Sequence, residues 1–262
     1  MSAPKLLHTF VILAYKESPY LQACVDSILA QTVPSEVIIC TSTPNNYIKT
    51  IADKYDIAVH INTNGGSIGK DWNYGMRSAA TQYVTLAHQD DIYHADFAEK
   101  CIALAEQHSD AKPLMAFTRS LTYKGDKELS VSFKNVIRWL LIFPFHFKQC
   151  ISSKSIKKSI LLFSNSISCP GVFYVKQNLE GFQFNEDSKY ILDWQAWYDM
   201  SQMDGAFIYV PHILHTHREH EGSATSSTQL ATLQHEEEWL LQRIWGNAAI
   251  AKLITKLLVL AK

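Results

Sequence analysis

No stretch of this chain approaches the roughly 20 uninterrupted apolar residues that a membrane-spanning helix needs. The protein is therefore expected to be soluble or peripheral. Paired cysteine motifs are missing too: Cys24, Cys40, Cys101, Cys150 and Cys169 are odd in number and scattered, with no Cys-x-x-Cys. That pattern excludes a disulfide framework and a cysteine zinc site, and it fits a reducing, cytoplasmic setting. Charge of one sign is lacking, since the formal net charge is −1, so there is no global electrostatic case for a nucleic-acid partner. The N-terminal apolar stretch is broken by His8, Thr9, Lys16 and Glu17 and has no small-residue cleavage site behind it, which reads as a first strand rather than a signal peptide. Neither an internal repeat nor a low-complexity tract is present. What remains is a chain of 262 residues, 47% hydrophobic and 19% charged, long enough to bury an enzyme-sized core without staples.

Residues 7–14 form a β-branched apolar run, and Leu21, Val25, Ile28 and Leu29 follow at helical spacing. Glu36 to Cys40 repeats the strand signal, Asn45 to Tyr55 suits a helix, and Ala58 to Ile61 a short third strand. After Asn64-Gly65-Gly66, Trp72 to Ala80 reads as a helix and Tyr83 to Ala87 as a fourth strand that stops at His88-Gln89-Asp90-Asp91. A further helix is expected over 97–108 and a strand over 114–123. Such alternation predicts an α/β fold with a doubly wound, mostly parallel sheet flanked by helices, whose ligands sit outside the carboxyl ends of the strands. Thr228 to Trp245 and Ala248 to Lys262 read as two C-terminal helices separated by Gly246-Asn247.

Adjacent carboxylates at a strand end suit a hard divalent cation bridging two phosphates, and Asp90 and Asp91 stand at such an end. A dipeptide of this kind is weak alone, because Asp-Asp also begins many helices. Its setting is more specific. Val11-Ile-Leu-Ala-Tyr15-Lys-Glu17 resembles the first-strand motif of the family-2 glycosyltransferases, enzymes of GT-A fold that include many bacterial surface-glycan transferases, and Ser27-Ile-Leu-Ala-Gln-Thr32 resembles their next helix end. Glu36 to Cys40 is similar to their second strand, Asn64-Gly65 with Asn73-Tyr-Gly75 to their glycine and asparagine loop, and His88-Gln-Asp90-Asp91 to their acidic metal motif. Gly181-Phe182 followed by Leu192-Asp193-Trp194 resembles the region of the catalytic acid, and His217-Arg218-Glu219-His220 with Ser223 and Thr225 resembles the Arg-x-His-x-x-Ser-x-Thr ending. The match runs in order from about residue 8 to residue 225.

The resemblance implies a GT-A domain over 1–225, with a nucleotide-sugar half (1–125) and an acceptor and catalytic half (126–225), and a helical extension over 226–262. It implies inverting transfer of a sugar from a nucleotide diphosphate donor, expected to be a UDP-sugar, onto a growing glycan acceptor that is expected to be lipid-linked. Ala14, Tyr15 and Glu17 would line the base and ribose, with Thr41 at the end of the second strand and Asn73 in the glycine and asparagine loop. Asp90 would meet the ribose or the metal. Asp91 and His220 would hold Mn²⁺ or Mg²⁺ at the diphosphate, and Arg218 would reach the phosphates from a C-terminal loop. Asp193 would be the general base, with Trp194 and Trp197 as an apolar wall for a sugar face and Asp187 or Glu186 as the alternative base.

Three positions depart from the family pattern. Thr41-Ser42 replaces the usual aspartates after the second strand, His88 stands where a further aspartate is common, and Leu192 precedes Asp193 in place of an acid. These leave open a nucleotide-sugar-binding protein without turnover. His215, His217 and His220 together with His88 and the two aspartates also allow a zinc-dependent hydrolase. Outside the motifs, Val136 to Phe147 is apolar and aromatic and is followed by Lys148, Lys154, Lys157 and Lys158, either an acceptor-facing or membrane-facing insertion or a helix on the core with a solvated basic face. In the last helix Lys252 and Lys256 lie opposite Ile250, Leu253, Ile254, Leu257 and Leu258, so 248–262 either contacts the inner face of the cytoplasmic membrane or docks on the domain.

Overall fold

The first strand sets the architecture. β1 (His8–Ala14) is apolar on both faces, as a strand covered on both sides must be. Its Val11 enters one core cluster while Phe10 and Ile12 enter the other. The computed structural model describes residues 6–124, 127–129, 133–220 and 229–260. Along the chain follow α1 (Leu21–Leu29), β2 (Glu36–Thr41), α2 (Asn46–Tyr55), β3 (Ala58–Ile61), α3 (Ile68–Ser78), β4 (Tyr83–His88), β5 (Ile92–Tyr93), α4 (Phe97–Gln107) and β6 (Pro113–Lys124). Next come β7 (Lys127–Leu129), α5 (Phe133–Leu141), α6 (Pro144–Phe147), β8 (Cys150–Ile151), α7 (Lys154–Ser159), β9 (Val172–Val175), α8 (Leu192–Gln202), β10 (Ala206–Glu219), α9 (Leu230–Trp245) and α10 (Ala248–Leu260).

The sheet order is β3-β2-β1-β4-β9-β6-β10-β5, with β7 on β6 and β8 on β10. β1 pairs in parallel with both β2 and β4, and β6 with β10, while β9 is antiparallel to β4 and to β6. The chain therefore winds from β1 out to β3 and returns on the other side of β1 to β4. That reversal opens a crevice beyond the strand ends, where Ala14 stands beside Thr41, and Leu13 beside His88.

Three expectations change. Arg218 was expected on a loop, yet it belongs to β10, a 14-residue strand whose pairing with β6 shifts register around Pro211. Proline cannot donate to a ladder, and it hides the strand in the sequence. Lys157 was expected either in an acceptor-facing or membrane-facing insertion or on a solvated basic face. It is instead fully buried, its ammonium donating to the carbonyls of Met203 (2.8 Å) and Gly205 (2.7 Å), which satisfies a charge that burial would otherwise make costly. Trp194 and Trp197 were expected to wall a sugar. They face inward on α8, 2% and 0% exposed, with Trp194 Nε1 donating to Leu161 O (3.1 Å) and the Trp197 ring against Tyr174.

The two C-terminal helices pack on the same body. Leu240, Leu241 and Ile244 of α9 and Ala251 and Ile254 of α10 join the core cluster that also holds Trp197 and Val11. α10 docks through Ala251, Ile254 and Thr255, while Leu253 and Leu257 remain 59% and 56% exposed. Among the described residues no helix is long and apolar enough to cross a membrane.

Candidate active site

Four segments meet at the crevice: the loop after β1, the end of β4, the end of β10 and the first turn of α8. Gln89 ties the first two together, its side chain accepting from Tyr15 N (3.1 Å) and donating to Tyr15 O (3.0 Å). This clamp leaves the Tyr15 ring 53% exposed at the mouth of the crevice. Ala14 is buried at the strand end, and Glu17 is exposed in the following loop. Lys16 N donates to Thr43 Oγ1 (2.6 Å), which closes that loop against the end of β2.

Asp91 is the most constrained acid of the site. It is 1% exposed, and its Oδ1 accepts from His217 Nδ1 (3.0 Å) and from the Arg218 backbone N–H (2.9 Å). Its Oδ2 is buried, makes no hydrogen bond, and has His88 Nδ1 at 3.9 Å. Burial alone would raise the carboxyl pKa. The charge and hydrogen bond of His217, with His88 and the Arg218 N–H, overcome this and hold it below the ordinary value. Reciprocally, burial acts to lower the His217 pKa, but the Asp91 carboxylate raises it above the usual imidazole value. Asp90 accepts from Ser18 Oγ (3.0 Å) and meets His220 Nε2 at 3.0 Å, while the His220 ring lies against Tyr20 with centroids 4.8 Å apart. The Arg218 guanidinium carbon sits 4.7 Å from the centre of the same Tyr20 ring. Thus each aspartate has its own histidine, and His217, rather than His220, is the partner of Asp91.

Asp193 approaches from α8. Its carboxylate accepts from Trp194 N (2.8 Å) and from the Asn165 amide. Burial raises its pKa, and the Trp194 N–H, Asn165, Arg138 and His88 only partly offset that. His88 lies within the field of both Asp193 and Asp91, so it joins the two acids across the crevice. The cap of α8 is Ile191, without a side-chain bond, so Asp193 does not serve as the helix N-cap.

Two expected residues have other duties. Asn73 is buried and gives its amide to Phe184 O (2.9 Å) and Glu186 Oε1 (3.1 Å), while its oxygen accepts from Phe184 N (2.8 Å). Its polar atoms are spent on holding α3 to the 184–186 segment rather than turned to a nucleotide. Gly69 makes that approach possible, for a Cβ there would meet Asn185 O at 2.5 Å. Thr41 is buried and accepts from Thr43 N (3.0 Å). A carboxylate nevertheless reaches the end of β2: Asp71, from the first turn of α3, accepts from Ser42 Oγ (2.8 Å) and from Asn62 Nδ2 (2.8 Å). Asp71, His217, Gln89 and Asn165 were missed as site residues. His217 had a sequence signal in the His-Arg-x-His quartet and Gln89 in the His-Gln-Asp-Asp motif, whereas Asp71 and Asn165 had none. Ser223 and Thr225 lie outside the described residues.

His215 turns both ring nitrogens to hydroxyls, Thr118 Oγ1 at 3.1 Å and Ser168 Oγ at 3.2 Å, and burial lowers its pKa to about 3. The His-x-His pair therefore does not converge as zinc ligands would. Among the described residues no three His, Cys, Asp or Glu side chains stand together as a metal cage. Mg²⁺ and Mn²⁺ do not require one, since one or two carboxylates together with substrate phosphates and water complete their shell. The Oδ2 of Asp91, which makes no hydrogen bond, fits that demand.

Comparison with known proteins agrees with this geometry. The chain is 22% identical over 246 residues to an uncharacterized glycosyltransferase of Rickettsia typhi, covering 89% of this chain and 70% of that one. A second uncharacterized glycosyltransferase, of Rickettsia prowazekii, matches at the same identity and coverage. Among solved structures, S. aureus TarS 1–349 in complex with UDP-GlcNAc is similar with a TM-score of 0.64 and 16% identity, over 95% of this chain and 70% of that one. The same protein in complex with UDP is similar with a TM-score of 0.60 and 14% identity, over 91% and 70%. The model of the family described as glycosyl transferase family 2 matches residues 9–155, more than half the chain, and the chain belongs to that family.

Proposed function

We propose that this glycosyltransferase moves a sugar from a UDP-sugar to a glycan acceptor with inversion at the anomeric carbon. The observation that carries the reading is the buried Asp91 carboxylate, with one oxygen held by His217 and Arg218 and the other left without a hydrogen bond at the strand reversal. Asp91 would hold Mn²⁺ or Mg²⁺, with Asp90 and His220 beside it. When bound, the ion supplies counter-charge to the diphosphate of the donor and leaving group. Tyr15 and Glu17 border the space for the nucleoside, and Asp71 supplies a carboxylate at the β2 end in place of the missing aspartates. The Arg218 guanidinium, stacked on Tyr20, is suited to phosphate oxygens. On the acceptor side, the attacking hydroxyl forms the new bond to the anomeric carbon as its proton passes to Asp193 and the UDP oxygen departs from the opposite face. The likeness to TarS in its complex with UDP-GlcNAc supports a UDP-sugar as donor. A lipid-linked acceptor, and work at the cytoplasmic face of a membrane, suit the exposed apolar helices.

Calorimetric titration of UDP with and without Mn²⁺, followed by a hydrolysis screen of UDP-sugars, tests the reading. The parent should bind UDP more tightly with Mn²⁺, and Asp91→Asn should lose that increment while keeping its melting temperature within a few degrees. Equal Mn²⁺-dependent binding by the variant would reject the assignment of Asp91.

A further inference from the structure

A second recess adjoins the catalytic crevice. Its volume is about 70 Å³, and Thr118, Arg119, Ser120, Arg138, Ser166 and Ser168 provide its polar lining, between β6, α5 and the 166–168 segment. Ser166 is only 5% exposed, and its hydroxyl makes no hydrogen bond. An orphaned buried hydroxyl is costly to leave unsatisfied, so such a group in a cavity wall points to a ligand that would satisfy it. The neighbouring hydroxyls of Thr118 and Ser168 are already fixed on His215, which makes that wall rigid.

The charge of the recess selects the ligand. Arg138 lies within the electrostatic field of Asp193 and Glu219, so the charge in the recess is felt at the proposed base. From Leu129 to Leu179 the chain has no Asp or Glu but seven Lys or Arg, although its overall charge is −1. A guanidinium with adjoining hydroxyls matches the oxygens of a phosphate ester or a carboxylate, and the volume accepts one such group rather than a sugar ring. We propose that this recess binds an anionic group carried by the acceptor, a phosphate ester or a carboxylate, and so places the attacking hydroxyl at Asp193. The inference rests on the transferase reading above and names a class of acceptor for it.

The test uses the full chain with its donor site saturated by UDP and Mn²⁺, and titrates four small probes: glycerol 3-phosphate, inorganic phosphate, glycerate and glycerol. The parent should bind at least one anionic probe and not glycerol. A preference for the two phosphates over glycerate identifies a phosphate-bearing acceptor, and the reverse a carboxylate-bearing one. Arg138→Gln should weaken that binding at least tenfold while UDP binding is unchanged. Ser166→Ala should weaken it severalfold while leaving the melting temperature equal or higher, because the alanine removes an unsatisfied group. Equal binding of glycerol and the anions overturns the proposal, as does Ser166→Ala with unchanged probe affinity. If UDP fails to bind the parent, the donor reading falls. Probe binding measured without UDP still decides the recess.

Discussion

At the scale of single residues, the site depends on two aspartates in contrasting surroundings. Asp91 has His217 and a backbone N–H to keep it ionised, whereas Asp193 is desolvated and bonded only by neutral donors, the Trp194 N–H and the Asn165 amide, and its proton affinity is raised. The first environment suits a cation holder and the second a proton acceptor. Since a base must be deprotonated to act, transfer should fail as pH falls through the raised pKa of Asp193. The acid limb of kcat/KM should accordingly lie above the ordinary aspartate value of 3.8. Asp193→Asn keeps the size and the Trp194 contact and should slow transfer by a factor of roughly 10² to 10⁴. UDP affinity should be unchanged, and the limb should vanish. A variant within threefold of the parent, or one retaining the same acid limb, places the base elsewhere, with Asp187 or Glu186 as the alternative.

At the scale of elements, the N-terminal β/α series was legible because its strands are continuous β-branched runs and its helices keep a 3.6-residue period. β1, β2 and β4 fall within a residue of their expected ends. The C-terminal half was harder to read. Pro211 and the polar His and Thr positions conceal β10, and the inward turn of Trp194 and Trp197 depends on what packs over α8, which no local pattern encodes. The same holds for the support of Asp193. Glu236, on α9, accepts from the backbone N–H groups of Lys189 (2.9 Å), Tyr190 (3.0 Å) and Ile191 (3.3 Å), and so fixes the turn from which α8 starts. A hydrogen bond to a charged group contributes about 1.5–3 kcal/mol, so Glu236→Ala should lower the unfolding free energy by at least the value of one such bond. With Asp193 less well placed, kcat should fall more than UDP affinity. Glu236→Gln, which still offers an acceptor oxygen, should recover part of both losses. Chemical denaturation and steady-state kinetics on the three proteins decide whether α9 positions the base or is an independent appendage.

At the scale of the whole molecule, the apolar surface is unevenly distributed. Trp139, Leu140, Phe143 and Phe147 of the α5–α6 region are 46%, 55%, 56% and 78% exposed, within the acid-free stretch that also carries Lys148. On α10, Leu253 and Leu257 are exposed beside Lys252 and Lys256, although the other side of that helix is docked. Both surfaces suit the interface of an anionic bilayer, where aromatic and aliphatic groups enter the headgroup boundary and each lysine contributes about 1 kcal/mol. Removing α10 would not test this cleanly, because Ala251 and Ile254 fill the core and their loss would destabilise the fold. Substitutions on the outer faces avoid that difficulty. The parent should float with vesicles containing phosphatidylserine and not with neutral ones, and raised salt should weaken the association. Leu253→Glu with Leu257→Glu should reduce flotation if α10 supplies the contact, and Phe143→Ser with Phe147→Ser should do so if the α5–α6 face does. Both pairs should retain UDP binding, since neither touches the crevice. A parent that stays with the unbound fraction on anionic vesicles, or two variants that float as well as it does, would reject membrane contact through these faces and leave the acceptor to be met in solution.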